Sequence, residues 1–141
     1  MVGSTLAAHA ETPIISAPDA AGMVASGELV LLDIRRPAEW QESGIAEGAW
    51  PVSMHTPAFA SQLQAILEQY DPSQIALICA TGGRTAYVTE ILERNGINGV
   101  ADVSEGMFGN GRAVGWLERG LPVITPEQSQ ALYIAAQEEW N

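Results

Sequence analysis

Nearly continuous apolar runs alternate with amphipathic segments along most of this chain. The run ELVLLDIR, residues 28–35, ends in charged residues, which is typical of a strand covered on both faces of a parallel sheet. SQIALIC, residues 73–79, has the same pattern. Shorter strands are predicted at PIIS, GAWPVSM and GVADVS, which are residues 13–16, 48–54 and 99–104.

The amphipathic segments between these runs predict helices. Five are expected from residues 17, 37, 57, 84 and 125 onward, the first stopped by Gly27 and the last capped by Thr125. A sixth, short helix is predicted to contain Val114, Trp116 and Leu117 and to end at Gly120 and Pro122. The expected inward residues are Phe59, Leu63, Ile66 and Leu67 of the third helix and Ala86, Val88, Ile91 and Leu92 of the fourth.

The order of strands and helices predicts an α/β fold. We expect a three-layer domain, with helices on both faces of a mainly parallel central sheet. The predicted divisions are an N-terminal lead at 1–12, the domain at 13–125 and a C-terminal helix at 126–141 that packs on the domain or extends it. Ligands bind such sheets at the carboxyl ends of the strands, and Cys79 lies at such an end.

Charge and length narrow the possible partners. The 141 residues fit one domain, and seventeen acidic residues against six basic ones give a formal charge of -11. All six basic residues are arginine, and this balance argues against binding to nucleic acid. No apolar stretch approaches the roughly 18 to 20 residues of a membrane span.

The N-terminus leaves the cellular compartment open. AHA at residues 8–10, followed by Glu11, resembles a signal-peptidase site, but the apolar segment that should precede it is missing. The lead is either the remnant of a signal peptide, which would make the protein periplasmic or secreted, or a disordered alanine-rich lead of a cytoplasmic protein.

The single cysteine is followed at once by glycines, in the loop CATGGRT at residues 79–85. One cysteine permits neither an internal disulfide nor a thiolate metal cluster. If a helix begins at Arg84 or Thr85, the loop amides surround the sulfur and form an anion cradle, in which a thiolate is expected near neutral pH. The alternative is that Cys79 is a small buried hydrophobic residue. The glycines, the arginine and the hydroxyl favour the reactive cysteine.

Four motifs in this order resemble the rhodanese-like family, over about Ile14 to Val123. They are DIRRPAEW at 33–40, SGIAEGAWPV at 43–52, CATGGRT at 79–85 and GMFGNGRAVGWLERGLPV at 106–123. The resemblance implies sulfurtransfer, in which the cysteine takes the outer sulfur of a small anionic donor such as thiosulfate. The sulfur is held as a persulfide and passed to cyanide, to a thiol or to a protein acceptor. No metal or organic cofactor is implied.

Related phosphatases and arsenate reductases with the same fold have a longer loop. A phosphate needs five residues between the cysteine and the arginine, whereas four separate Cys79 from Arg84 here. The shorter loop favours sulfurtransfer over phosphate hydrolysis. These four residues are candidates for substrate binding together with Arg84 and Thr85: Ala80, Thr81, Gly82 and Gly83.

Three departures from the family pattern argue against efficient use of thiosulfate. Ala80 occupies a position that is often basic, the usual histidine is missing from Ser43, Gly44 and Ile45, and Glu105 replaces a glycine close to the expected pocket. The acidic net charge acts in the same direction. A catalytically weak binding or sulfur-sensing module is therefore the alternative function.

The supporting residues each have two interpretations. Arg84 either holds the sulfonate of the donor or ties the loop to a carboxylate, and Thr85 either donates to the sulfur or caps the helix. Asp33, Arg35 and Glu39 are expected to form a structural salt-bridge network under the pocket.

Further residues are candidates for the mouth of the pocket. His55 is either a general acid or base there or an exposed side chain. Trp50, Met107 and Phe108 are predicted at the rim, and Trp116 in the core.

Overall fold

A computed structural model describes residues 12–141, and within this range every strand is short, with two or four residues. In these residues no helix is both long enough and apolar enough to cross a membrane. The five α-helices of these residues are α1 (Ala17–Ala25), α2 (Pro37–Ser43), α3 (Phe59–Gln69), α4 (Gly83–Arg94) and α5 (Pro126–Trp140), and a short 3-10 helix lies at Pro72–Gln74. The six strands are β1 (Val30–Asp33), β2 (Ile45–Ala46), β3 (Trp50–Pro51), β4 (Ile75–Ile78), β5 (Ala101–Asp102) and β6 (Val123–Ile124).

The central sheet is parallel and confirms the predicted α/β class. Its strand order is β3-β1-β4-β5, so the two apolar runs form its middle strands. Leu32 pairs with Leu77 and Asp33 with Ile78, which brings the carboxyl ends of β1 and β4 together. A separate antiparallel pair of β2 and β6 ties the closing segment, residues 106–123, to the region after α2.

Side chains of the middle strands point alternately into two apolar cores, as the period of two requires. Leu31 and Ile78 pack on one face with α1 and the fully buried Trp116. Leu32 and Leu77 pack on the other face with residues of α3, α4 and α5. The sheet is therefore covered by helices on both faces, as the nearly continuous apolar pattern of β1 and β4 predicts.

The last helix packs on the domain through an aromatic cluster. Tyr133 stacks on Trp50 with ring centroids 5.2 Å apart, and the indole N–H of Trp140 donates to the Tyr70 hydroxyl at 3.3 Å. The Ser129 hydroxyl donates to the Ala49 carbonyl oxygen at 2.6 Å in a buried contact. Thr125 caps the helix as predicted, since its hydroxyl accepts from the Gln128 N–H.

Two predicted elements differ from the structure. Residues 116–120 form turns instead of a sixth helix, because Gly115 and Gly120 adopt positive φ angles of 92° and 74° that interrupt helical geometry. The predicted first strand is reduced to a single bridge between Ile14 and Asp102. The proposed signal site at residues 8–10 lies outside the described residues.

The inward face of α4 also differs from the apolar pattern. Ala86 and Ile91 are exposed, whereas Thr85 and Thr89 are buried together with Val88 and Leu92. The buried hydroxyls are satisfied locally, since Thr89 Oγ1 donates to the Thr85 carbonyl oxygen at 2.8 Å. Thr85 lies on this buried face of α4, next to the end of β4.

Candidate active site

Cys79 immediately follows β4, at the carboxyl end of a central strand. The residue is only 1% exposed, and it is the free cysteine of the chain. Its sulfur accepts a hydrogen bond from the Gly82 N–H at 3.2 Å, so the loop amide points to the sulfur as the glycine pattern predicts. The sulfur thus lies at the start of α4.

Gly82 is the residue that allows this loop to turn. It is the N-cap of α4, and its φ of 95° lies in the left-handed region that favours glycine. A Cβ at Gly82 would come within 2.3 Å of the Ser104 carbonyl oxygen, whereas a Cβ at Gly83 would meet nothing within 4 Å. The helix begins at Gly83, one residue earlier than predicted.

The hydroxyl of Thr85 lies beside the sulfur. Thr85 Oγ1 is 3.6 Å from Cys79 Sγ and donates to the Gly82 carbonyl oxygen at 3.2 Å. Thr85 is fully buried inside the first turn of α4, so it does not occupy the N-cap position. Of the other loop residues, Ala80 is partly buried, and Thr81 and Gly83 are exposed.

Arg84 ties the loop to a carboxylate, which is the second of its two predicted roles. Its two terminal nitrogens donate to both oxygens of Glu39, at 2.7 and 2.8 Å. This bidentate bond outweighs partial burial and lowers the pKa of Glu39 to about 2. Arg84 Nη1 also donates to His55 Nε2 at 3.2 Å. The positive charge of Arg84, the arginine of the loop, is therefore already neutralised by Glu39.

Asp33 and Arg35 form a buried ion pair at the end of β1. Both side chains are fully buried, and Arg35 Nη2 lies 2.8 Å from Asp33 Oδ2. Arg35 further donates to the Ser43 hydroxyl and to the Gly44 carbonyl oxygen, each at 3.0 Å. The predicted network of three residues is thus two separate pairs, because Glu39 bonds to Arg84.

Comparison with known proteins identifies the family of this chain. A profile of the Rhodanese-like domain family matches residues 16–111, which is more than half of the chain. The chain belongs to the rhodanese-like domain family. A search of curated proteins gave no match.

Solved structures with this fold include several sulfurtransferases. A thiosulfate sulfurtransferase from Pseudomonas aeruginosa is 26% identical with a TM-score of 0.62, over 89% of this chain and 22% of that protein. A homodimeric polysulfide-sulfur transferase from Wolinella succinogenes is 24% identical with a TM-score of 0.56, over 87% of this chain and 85% of that one. A human single-domain sulfurtransferase is 23% identical with a TM-score of 0.53, over 77% and 98%.

In this rhodanese-like domain the closing segment clamps the loop through its backbone. The Met107 N–H donates to the Cys79 carbonyl oxygen and the Phe108 N–H to that of Ala80, each at 2.9 Å. A Cβ at Gly106 would lie 2.3 Å from the Ala80 carbonyl oxygen, so only glycine fits. Sequence reasoning did not predict these two hydrogen bonds. The signal for them in the sequence was Gly106, because a glycine permits such a close approach of two backbones.

The predicted rim of the pocket is partly wrong. Trp50 packs under α5 and Met107 is fully buried in the core, whereas Phe108 is 56% exposed beside the loop. Trp116 lies in the core as predicted. His55 is exposed, and limited burial together with the charges of Arg36 and Arg84 lowers its pKa.

In the rhodanese-like domain the Glu105 carboxylate bonds to groups outside the cysteine loop. Its carboxylate accepts from the Ala17 N–H at the start of α1, from the Gly115 N–H and from the Arg119 guanidinium. Burial alone would raise the pKa of Glu105, but these hydrogen bonds lower it overall. The acidic residue that replaces a family glycine therefore joins α1 to the closing segment.

Proposed function

We propose that this domain is a sulfurtransferase that carries a sulfane sulfur as a persulfide on Cys79. The observation that carries the proposal is the sulfur at the start of α4, with the Gly82 N–H at 3.2 Å and the Thr85 hydroxyl at 3.6 Å. Both groups can donate to a sulfur anion in a site that excludes most water. The sulfurtransferases among the structural relatives support the same chemistry.

The reaction has two displacements. The Cys79 anion attacks the outer sulfur of a donor, the donor S–S bond breaks, and its inner fragment leaves with the electron pair, as sulfite when the donor is thiosulfate. An acceptor thiolate or cyanide then attacks the outer sulfur of the persulfide, and Cys79 leaves again as an anion. In both steps negative charge is present on the sulfur at Cys79. Amide donors that stay in place can stabilise that charge each time.

Replacing Cys79 with serine tests the proposed function. We expect the variant to fold but to form thiocyanate from a sulfur donor and cyanide at the uncatalysed rate, because a hydroxyl cannot hold the sulfane sulfur. Thermal unfolding checks the fold, and thiocyanate release measures the activity. Equal rates for wild type and variant, both near background, would contradict the proposal and favour the binding or sensing module.

The electrostatics of the site favour a donor of low charge. Arg84 is already paired with Glu39, and the basic loop residue common in the family is Ala80 here. The formal charge of -11 further repels a dianion such as thiosulfate. We therefore propose a persulfide of a small thiol, or a similar donor, in preference to thiosulfate.

Replacing Glu39 with glutamine tests this preference. Freeing the Arg84 guanidinium should raise kcat/KM for thiosulfate by about tenfold, the equivalent of one charge-assisted hydrogen bond, while a donor without net negative charge, such as the persulfide of cysteamine, changes little. The matched control is Glu90→Gln, which removes an exposed ion pair with Arg94 on α4, the helix that carries Arg84. If activity with both donors falls to the same extent, Glu39 holds the loop in place and does not mask Arg84.

A further inference from the structure

An apolar groove opens between α3 and α4, on the face of the sheet that these helices cover. Its volume is about 810 Å³, which lies within the range of sites for small molecules. The buried side chains of Leu63 and Val88 line it together with Tyr87 and Ile91, which are 58% and 36% exposed. Apolar surface that stays exposed next to the core is typical of a binding site.

One end of the groove lies at the active site. Arg84, Val88 and Ile91 are spaced four and three residues apart, so they share one face of α4. Val88 and Ile91 line the groove. Arg84 therefore stands at the start of this row, and the next residue is Thr85, whose hydroxyl is 3.6 Å from Cys79 Sγ.

The wall opposite α4 reaches the same point. Met54 lines the groove, and His55 directly after it is bonded through Nε2 to Arg84 Nη1 at 3.2 Å. From Arg84 the lining extends along α4 to Asn95, about 16 Å at the helical rise of 1.5 Å per residue. A molecule that reacts at Cys79 can therefore place an apolar chain along the groove.

The charges around the groove disfavour an anionic occupant. Glu68 is the one charged side chain among the described residues that line it, and its carboxylate repels an anion. Arg84 is bonded to both oxygens of Glu39, so its charge is not free to hold a carboxylate or a sulfonate. The formal charge of -11 on each molecule also opposes a second copy of the chain at this surface. An uncharged apolar chain of a small molecule fits the groove best.

We propose that this groove binds the apolar chain of the sulfur donor and that the donor is the persulfide of an alkyl thiol. The Cys79 anion attacks the outer sulfur of the persulfide, whose proton remains on that sulfur. The S–S bond of the donor breaks, a new S–S bond to Cys79 forms, and the alkyl thiolate leaves with the electron pair. This substrate class rests on the proposed function for its chemistry and on the groove for its chain.

The dependence of the reaction on chain length tests this inference. For the persulfides of ethanethiol, butanethiol and hexanethiol, kcat/KM should rise by about threefold for each added methylene. The expected factor is slightly below that of a fully buried methylene, because the groove is open to solvent. Thiocyanate release in the presence of cyanide measures the rates.

Replacing Ile91 with glutamate should abolish the dependence on chain length, because it places a charge where the chain would lie. Ile91 is partly exposed, so we expect the variant to fold, and thermal unfolding checks this. The matched control is Leu132→Glu, which introduces the same charge at a 44% exposed position of α5 outside the groove. This control should keep the wild-type dependence on chain length.

Three results would overturn the inference. The first is a wild-type kcat/KM that does not change with chain length. The second is a chain-length dependence that is the same in wild type and Ile91→Glu. The third is a wild-type dimer in sedimentation that Ile91→Glu dissociates, together with no effect of chain length, which would assign the groove to a second copy of the chain.

Alkylation of Cys79 distinguishes a failure of the groove from a failure of the proposed function, because it uses no sulfur donor and no acceptor. Relative to free glutathione, Cys79 should react at least about tenfold faster with N-hexyl iodoacetamide than with N-ethyl iodoacetamide, and Ile91→Glu should lose this preference. A protein with this preference but without sulfurtransfer would refute the proposed function and keep the groove as a site for an apolar chain. An active enzyme without the preference and without chain-length dependence would refute the groove alone.

Discussion

Replacing Arg35 with methionine is expected to lower the unfolding free energy by roughly 3 to 5 kcal/mol. Arg35 and Asp33 are both fully buried, and the guanidinium supplies three hydrogen bonds to the Asp33 carboxylate. Its removal leaves a buried carboxylate without a counter-ion and takes away one of the two side-chain donors to the Gly44 carbonyl oxygen, the other being the Ser43 hydroxyl. Denaturant unfolding followed by tryptophan fluorescence measures the loss.

The chain offers a matched control for this prediction. Arg94 pairs with Glu90 on α4, but the two side chains are 70% and 61% exposed, so Arg94→Met should change stability by less than about 0.5 kcal/mol. The double replacement Asp33→Asn with Arg35→Met should recover part of the loss, since no buried charge remains. Equal effects of Arg35→Met and Arg94→Met would show that the buried pair does not brace the pocket.

Replacing Gly82 with alanine is expected to cost at least about 2 kcal/mol and to disrupt the cysteine loop. The left-handed backbone at Gly82 disfavours any Cβ, and this one would come within 2.3 Å of the Ser104 carbonyl oxygen. The loop must shift to relieve the contact, and the Gly82 N–H then leaves the sulfur. Denaturant unfolding and the rate of Cys79 alkylation at neutral pH measure the two effects.

The adjacent glycine separates this effect from a general cost of alanine in the loop. A Cβ at Gly83 meets nothing within 4 Å, and Gly83 is the first residue of α4. Gly83→Ala should therefore be neutral or stabilise the protein by up to about 1 kcal/mol. If both replacements are tolerated equally, the special backbone of Gly82 does not shape the site.

The fold was predictable because its signals are local. The apolar runs of β1 and β4 have no polar face, which indicates burial on both sides and therefore a parallel sheet with helices above and below it. Ser16 and Thr125 both accept hydrogen bonds from N–H groups in the first turn of the helices that follow them. Such capping depends on neighbours three residues away, which a sequence displays directly.

The parts that sequence reasoning missed depend on which hydrogen bonds the buried polar side chains make. Thr85 and Thr89 can be buried because backbone carbonyl oxygens one turn earlier accept their hydroxyl hydrogens. An apolar count therefore placed Val88 and Leu92 correctly but wrongly turned Ala86 and Ile91 inward. Glu105 is held by groups from α1 and from the closing segment. No local pattern shows which partner a buried carboxylate will find.

The candidate site also has a part that the sequence predicted and a part that it did not. The order of cysteine, glycine and arginine predicted an amide pointing to the sulfur, because a loop that enters a helix N-terminus has few other conformations. For Arg84 the sequence allowed two partners, the sulfonate of a sulfur donor or a carboxylate of the protein. In the structure the partner is Glu39, which lies forty-five residues before Arg84 in the chain. No rule of local spacing predicts a contact over that separation.

Intact-mass spectrometry of the protein after incubation with a sulfur donor tests the central claim most directly. With glutathione persulfide or thiosulfate, we expect the mass to increase by one sulfur atom, cyanide to remove that atom, and Cys79→Ser to gain none under the same conditions. A folded wild-type protein that acquires no cyanide-labile sulfur from either donor would contradict the account.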